Sequence, residues 1–435
     1  MFSAKKIAVV GLWHCGEIYS ACLAELGHDV TGIDENTDTT ANLQKGIPPL
    51  EEPELAEMIA KNSAAGRLRF SIDFSETAKT SIVWFTYDTS VNDEDVVDII
   101  PIITAVEKIA PFLQNGTTVI FSSQLPVGTI QKIKELVTTK RPELKFDIAY
   151  VPENLQLGKA TRSFMEPGRI VIGAENEKTF ALIENIFALL KTQFFRMNPT
   201  SAEMAKHALN AFLATSLTFI YDIADLCEKV GADVTDVTKA LKSDPRIGQS
   251  AYLDASVGFS GGTLGRDLRA MMNEADRKNI TLPIISNVYA KNAGRRSIFI
   301  ARIKETLGGL NGKTIGLLGV TYKVGTSTLR RSLALEVAGL LKNEGVAIHA
   351  TDPMAKKEEV EAESNIQFFS DPYEMMERCH AVILMTAWPE YKELDVTKVA
   401  KAIKEPRAFF DTRNFLKDKE TEFKKAGIKY TGIGR

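Results

Sequence analysis

Between Ser256 and Asp267 the chain reads S-V-G-F-S-G-G-T-L-G-R-D, with Gly258, Gly261, Gly262 and Gly265 ahead of Arg266 and Asp267. Glycines at that density mark backbone in conformations that other residues resist, approached closely by something bound. Arg266 and Asp267 bring one fixed cation and one carboxylate to the same place, so the stretch reads as an active-site loop. Upstream, in an Ala- and Leu-rich helical pattern that starts at Thr200, Lys206 and Asn210 stand four residues apart and share a helix face. Taken alone, that pair is the solvated side of a helix.

A third constellation opens the chain. A short apolar strand, Lys6–Val10, runs into the turn Gly11-Leu-Trp-His-Cys-Gly16, an amphipathic helix follows to about Leu26, and a second strand, Asp29–Ile33, ends at Asp34. This is the βαβ unit that binds dinucleotides: the turn amides and helix N-terminus take the pyrophosphate, and Asp34 takes the ribose hydroxyls. An acid at that strand end favours NAD over NADP, because a carboxylate repels a 2′-phosphate. Trp13 replaces the middle glycine of the fingerprint. His14 and Cys15 lie inside the turn, where packing is their expected role.

The elements that must position these residues repeat a simple alternation. Strands are expected at Leu68–Ser71, Ile82–Tyr87, Thr118–Ser122, Phe146–Val151, Arg169–Gly173 and Phe194–Met197, separated by helical patterns such as Pro101–Ala110 and Val127–Leu136. That is a doubly wound parallel sheet, with function at the strand ends Tyr87–Thr89, Ser123–Gly128 and Pro152–Gly158. From Thr200, which with Ser201 is a candidate cap, a helix free of Pro and Gly runs towards Gly231. Its length makes it a natural spine and dimerisation surface. Further helices are expected at Asp233–Leu241, Leu268–Asn279 and Ile284–Thr306. At Lys313 a second alternation begins: Thr314–Gly319, a helix Ser332–Asn343, Ala347–Thr351 ending in Asp352, Ile366–Phe369, Ala381–Thr386 and Ala408–Asp411. The fold class is therefore α/β: two doubly wound Rossmann-like domains joined by a central helical region with a long spine helix. The expected domains are 1–198, which carries the NAD unit, 199–307, the central helical region with the spine and the glycine loop, and 308–435, the second α/β domain, with Gly308–Gly312 as linker. His207 falls about 100° round the helix from Lys206 and is expected at the surface, and Trp388 is expected to pack.

Composition bounds the rest. A chain of 435 residues with 44% hydrophobic and 25% charged residues and a net charge of −3 is globular, with no field that recruits nucleic acid or an anionic membrane. The chain reaches its first strand at Lys6 without a signal peptide's long apolar segment, and a cytoplasmic location is expected. Cys15, Cys22, Cys227 and Cys379 form no C-x-x-C pair, so reduced thiols are expected and no metal site.

Taken together, these motifs resemble the UDP-glucose/GDP-mannose 6-dehydrogenase family nearly end to end. The resemblance rests on Gly11–Gly16, Ser123-Gln-Leu-Pro-Val-Gly-Thr129, Val151-Pro-Glu-Asn-Leu-Gln-Leu-Gly158 and Glu203-Met-Ala-Lys-His-Ala-Leu-Asn210. It continues through Asp244-Pro-Arg-Ile-Gly248, Gly258–Asp267, Thr321-Tyr-Lys323 with Thr326 and Arg330, Thr386-Ala-Trp-Pro389 and Asp411-Thr-Arg-Asn414. It implies that C6 of a nucleotide sugar, most plainly a UDP-hexose, is oxidised from alcohol to aldehyde to acid, with NAD taking hydride twice. It assigns catalysis to Glu153, Lys206, Asn210, Asp267, Gln124 and the position of Thr263. It assigns cofactor contacts to Gly11, Trp13, His14, Cys15, Gly16, Asp34, Thr89 and Arg330. Substrate contacts fall on Leu155, Arg246, Tyr252, Gly258, Gly261, Gly262, Arg266, Tyr322 and Lys323, with Arg246 reaching the substrate across a homodimer interface.

The chain departs from the family where the second oxidation is done. The family uses a cysteine in the glycine loop to form a thiohemiacetal and then a thioester, and that cysteine falls at Thr263, with no cysteine between Cys227 and Cys379. Gln124 stands in place of a threonine that holds the catalytic water, Arg266 in place of lysine, and Gln156 and Leu157 in place of an Arg-Glu pair near the substrate. Three readings stay open: an enzyme that stops at the aldehyde or passes through its hydrate, one that makes the uronic acid with another group replacing the thiol, and a silent nucleotide-sugar binding or regulatory protein. Retention of Lys206, Asn210 and Asp267 speaks against the third.

Overall fold

The computed structural model describes residues 2–90, 97–364 and 366–435, and the chain divides into two compact units, Met1–Leu209 and Asn210–Arg435. The first unit is built on eight strands: β1 (Lys6–Val10), β2 (Asp29–Ile33), β3 (Leu68–Ser71), β4 (Ile82–Phe85), β5 (Thr118–Phe121), β6 (Asp147–Tyr150), β7 (Arg169–Gly173) and β8 (Gln193–Met197). They lie in the order β3-β2-β1-β4-β5-β6-β7-β8. The inner strands are apolar on both faces because helices cover both; all four residues of β4, Ile82-Val-Trp-Phe85, are buried.

The expectation of a parallel sheet holds for β1 to β6 and fails beyond them. β7 meets β6 antiparallel through Tyr150 and Gly173, and β8 runs parallel to β7. A parallel crossover needs a helix long enough to return the chain along the sheet. The helix between β6 and β7, Ala160–Met165, has six residues, about 9 Å of rise, and does not supply that return.

The spine helix Pro199–Val230 spans 32 residues, about 48 Å, beginning in the first unit and continuing in the second. Its cap is neither Thr200 nor Ser201 but Asn198, whose Oδ1 accepts the Ser201 amide at 2.8 Å, with Pro199 at the first helical position. Within the second unit the helix Pro283–Leu307 is tied to the spine by Lys291, 2.6 Å from Asp222 and 2.9 Å from Asp225, and by Arg295 paired with Asp225. Gly308, in the left-handed region at φ 66°, caps that helix.

The chain then builds β9 (Thr314–Leu318), β10 (Ala347–Thr351), β11 (Gln367–Phe368), β12 (Ala381–Leu384), β13 (Ala408–Asp411) and β14 (Lys429–Thr431). Their order is β11-β10-β9-β12-β13-β14, all parallel. β14 was not expected from the sequence; its three residues are too short to show a period. Among the described residues no helix is long and apolar enough to cross a membrane.

Candidate active site

In the first unit, the turn after β1 has the geometry of a phosphate cradle. Gly11 sits at φ +90°, donates its amide to Ile33 O at 2.9 Å, and leaves no room for a side chain, because a Cβ there would stand 2.8 Å from the Tyr87 ring. A Cβ on Gly16 would lie 1.7 Å from the Gly11 carbonyl oxygen. Trp13 is the N-cap of the helix His14–Glu25; its own side chain makes no cap hydrogen bond, and the residue is 47% exposed. A carboxylate already lies against one of the first-turn amides: Asp88 Oδ2 is 3.5 Å from the Cys15 nitrogen. A helix N-terminus beside a glycine cradle, with a carboxylate already drawn to one of its amides, is an anion site of the kind a pyrophosphate occupies, so these residues fit a dinucleotide. Asp34, half-buried at the end of β2, accepts the Leu12 amide at 2.7 Å and the Asn36 amide at 2.9 Å.

His14 and Cys15 differ in surroundings. Cys15 is buried, and its thiol is pushed well up, first by burial and then by Asp88. His14 does more than pack: its Nε2 is 2.9 Å from Glu52 Oε1. Glu17, wholly buried on the same helix, has its carboxyl pushed up to about 9 by burial, opposed by the Leu50 amide and reinforced by Asp88 and Glu52. It is a neutral acid under the turn. Thr89 is buried at the end of the segment after β4.

The loops after β5 and β6 are held by the first turns of the spine helix. Glu203 takes the Gly128 amide on Oε2 at 2.6 Å and the Ile130 amide on Oε1 at 2.8 Å, capping the helix Thr129–Lys140 from outside. Burial pushes the Glu203 carboxyl up, and those amides oppose it. His207 donates Nε2–H to Leu125 O at 2.8 Å and is 2% exposed, so the expectation of a surface histidine is corrected. Helical periodicity allows for one buried face, whereas this part of the helix packs against both loops. Gln124 is buried in the first of them. Lys206 is also buried: its Nζ donates to the Glu153 carbonyl and lies 3.2 Å from Glu153 Oε1, while Glu153 Oε2 accepts the Leu155 amide at 2.8 Å. A lysine held in this way is not part of a solvated face.

In the second unit, Asn210 donates Nδ2–H to Asp267 Oδ2, and both side chains are buried. Gly261–Gly265 forms a π-helical turn that runs straight into the helix Arg266–Arg277, placing Thr263 one turn before Asp267. Gly258, at φ +129°, lets the backbone pass within reach of Asn292, which accepts the Phe259 amide at 2.8 Å. Burial pushes the Tyr322 phenol up, and the Thr263 hydroxyl is hydrogen-bonded to it. Arg266, Lys323 and Tyr322 are half-buried. Arg246 does not join this group: its guanidinium pairs with Asp244 at 2.7 Å on an exposed turn, and Tyr252 and Arg330 are also exposed.

The end of β10 repeats the acid of β2 with a different environment. Asp352 Oδ2 accepts the amides of Val320 and Thr321, the Thr321 hydroxyl and the Trp388 indole N–H, at 2.8 to 3.1 Å. Its Oδ1 accepts the Met354 and Ala355 amides. Trp388 packs, as expected, and also donates. Among the described residues no group of His, Cys, Asp and Glu side chains is placed to hold a metal ion.

Glu52, Glu203 and the role of His207 were not legible beforehand. Glu203 lay inside a motif, but nothing in its spacing shows which amides it reaches. Glu52 meets partners across separations of 38 and 106 residues, which no local pattern reports.

Three domain models of the UDP-glucose/GDP-mannose dehydrogenase family match in sequence: the NAD binding domain over residues 5–191, the central domain over 200–294 and the UDP binding domain over 316–418. The chain is 32% identical over 434 residues to the UDP-glucose 6-dehydrogenase TuaD of Bacillus subtilis, covering 99% of this chain and 93% of that protein. It is 32% identical over 437 residues to the UDP-glucose 6-dehydrogenase of Rickettsia typhi, covering 99% of each. A solved UDP-glucose dehydrogenase from Pyrobaculum islandicum superposes with a TM-score of 0.91 at 28% identity, covering 99% of this chain and 98% of that one.

Proposed function

This chain belongs to the UDP-glucose/GDP-mannose dehydrogenase family, and on that premise we propose that it oxidises C6 of a UDP-hexose to the aldehyde without a catalytic thiol. It is an NAD-dependent nucleotide-sugar dehydrogenase; the proposal concerns which groups act and where the oxidation ends. The observation that carries it is Thr263. A hydroxyl hydrogen-bonded to a phenol that burial keeps protonated stands where the family's cysteine falls, and a hydroxyl without a base is a poor nucleophile.

Bound NAD supplies the hydride acceptor. Asp267, oriented by Asn210, takes the C6 hydroxyl proton through a water, and the Lys206 ammonium stabilises the alkoxide charge that develops as C6 loses hydride. Glu153 positions that ammonium. The products of this step are the aldehyde, NADH and a proton. Any acid then forms by addition of water to the aldehyde and a second hydride loss from the hydrate, with no bond to the protein. Gln124 lies in the loop where the family holds its catalytic water, and we assign it that role. The substrate contacts Leu155, Arg246, Tyr252, Gly258, Gly261, Gly262, Arg266, Tyr322 and Lys323 are carried on the same premise, as are the cofactor contacts from Gly11 to Asp34, Thr89 and Arg330. The functional segments we propose are 1–198, 199–307 and 308–435, and the three matched domains, which fall inside these bounds, support them.

The test counts NADH formed per UDP-glucose consumed. We expect one. A count of two means the reaction runs to the acid without the thiol and sinks the aldehyde-stopping form; absence of turnover on a panel of UDP-hexoses sinks the activity. Thr263→Cys is expected to raise the yield of uronic acid at least severalfold, read by anion-exchange chromatography. An unchanged yield would place the limit in Gln124 and Arg266 instead.

We also propose a homodimer through the spine helix. Phe212, Phe219 and Leu226 recur every seven residues on it and are 70%, 49% and 59% exposed, with Val230 continuing the stripe. An apolar stripe of that regularity on a soluble chain calls for a partner, and a second copy presents the same stripe. The double variant Phe212→Glu, Phe219→Glu should sediment as the 47.9 kDa monomer while the parent sediments at twice that mass; a parent that is itself monomeric ends the proposal. We place the enzyme in the cytoplasm, which the four free, buried cysteines support.

A further inference from the structure

We propose that Glu52 is a positioning residue that couples cofactor binding at the glycine turn to sugar binding at the loop after β6. The inference rests on the reading of those two elements given above. It needs only the first unit.

The Glu52 side chain is fully enclosed, and its carboxylate touches both elements at once. Oε1 receives the His14 Nε2 at 2.9 Å, from the turn, and the Gly158 amide at 2.7 Å, from the loop. Oε2 receives the Ala160 amide at 3.0 Å, and the Thr161 hydroxyl donates to Pro53 O at 2.8 Å beside it. One oxygen is thus shared by a residue of the cofactor turn and the residue that ends the Glu153–Gly158 loop. Burial alone raises a carboxyl, yet the donors His14, Ala160 and Gly158 hold Glu52 below its usual range, so it is ionised. Glu17, next to it, is a neutral acid and places no second charge in the cluster.

An enclosed charge is costly once its donors leave it. A shift of His14 on cofactor binding therefore draws Glu52, and Glu52 draws Gly158 and Ala160, at the C-terminal end of the loop that carries Glu153 and Leu155. By linkage the effect is reciprocal: the sugar, by ordering the loop, fixes the turn. The two ligands then bind with a coupling of about 5- to 150-fold.

The experiment measures NADH affinity by calorimetry, alone and with saturating UDP-glucose, a pair that cannot turn over. The ratio of the two affinities is the coupling, and any change in NADH binding common to both drops out. The wild type is expected to give a ratio of at least about fivefold. In Glu52→Gln, which keeps the shape and loses the charge, the ratio should fall to within about twofold of one. His14→Phe, which removes only the donor on the turn side and leaves the buried carboxylate to the loop amides, should do the same and carries the test if Glu52→Gln fails to fold. A wild-type ratio of one, or a wild-type ratio retained in either folded variant, overturns the proposal. A wild type that binds neither ligand instead overturns the reading of the site, and this inference with it.

Discussion

Lys206→Ala lowers kcat by about 10²- to 10⁴-fold, the range lost with a positioned proton-transfer or charge-stabilising group. A buried ammonium has given up water, and in this chain it is held by the Glu153 carbonyl and carboxylate, so its presence is explained by a charge that it meets during turnover. Removing it leaves a half-buried Glu153 that can rehydrate, so the fold survives. The check is initial-rate NADH formation alongside NADH affinity. An affinity within threefold of wild type with kcat down at least a hundredfold is the expected split; a kcat loss below tenfold would make Lys206 a packing residue.

Gly16→Ala is the second large effect. The added methyl would lie 1.7 Å from the Gly11 carbonyl oxygen, a backbone atom that cannot swing away as a side-chain end can. Either the turn opens or the helix His14–Glu25 backs off, and both dismantle the cradle. NADH affinity is expected to fall by on the order of 100-fold, about 2.8 kcal/mol, measured by fluorescence titration. Gly339→Ala is the control, because its Cβ meets nothing within 4 Å and the helix Leu333–Asn343 gains an alanine; affinity should not change, and stability should rise by about 0.5–1 kcal/mol. Equal behaviour of the two variants would refute the steric account.

The legible part of this molecule is its alternation. Asp29–Ile33, Arg169–Gly173 and Ala347–Thr351 are strands at the bounds expected from apolar runs alone. The direction of β7 was not legible, because a strand's composition says that it is buried and not which way it runs. Lys206 and Asn210 illustrate a different limit. Spacing put them on one helix face, and only the family motif separated them from a solvated surface; the structure buries both and gives Asn210 to Asp267 and Lys206 to Glu153. His207 went the other way, since helical periodicity assumes one buried side and the start of the spine helix has two. The helices Thr37–Gln44 and Leu55–Ala64 leave no clear signal in the sequence because polar residues dilute their pattern.

The two acids at the ends of β2 and β10 began from one architectural position and are no longer interchangeable. Asp34, half-buried, receives two backbone amides among the contacts of the described residues, fewer than the roughly four lone-pair sites of a carboxylate. Asp352 receives six donors, more than the roughly four lone-pair sites of a carboxylate hold comfortably. The second sheet therefore has the outline of a dinucleotide site with its recognition element welded shut. A protein engineer wishing to graft a second cofactor onto this chain would have to begin at Trp388 and Thr321, not at the glycine turn, and would be trading a structural rivet for a ligand contact.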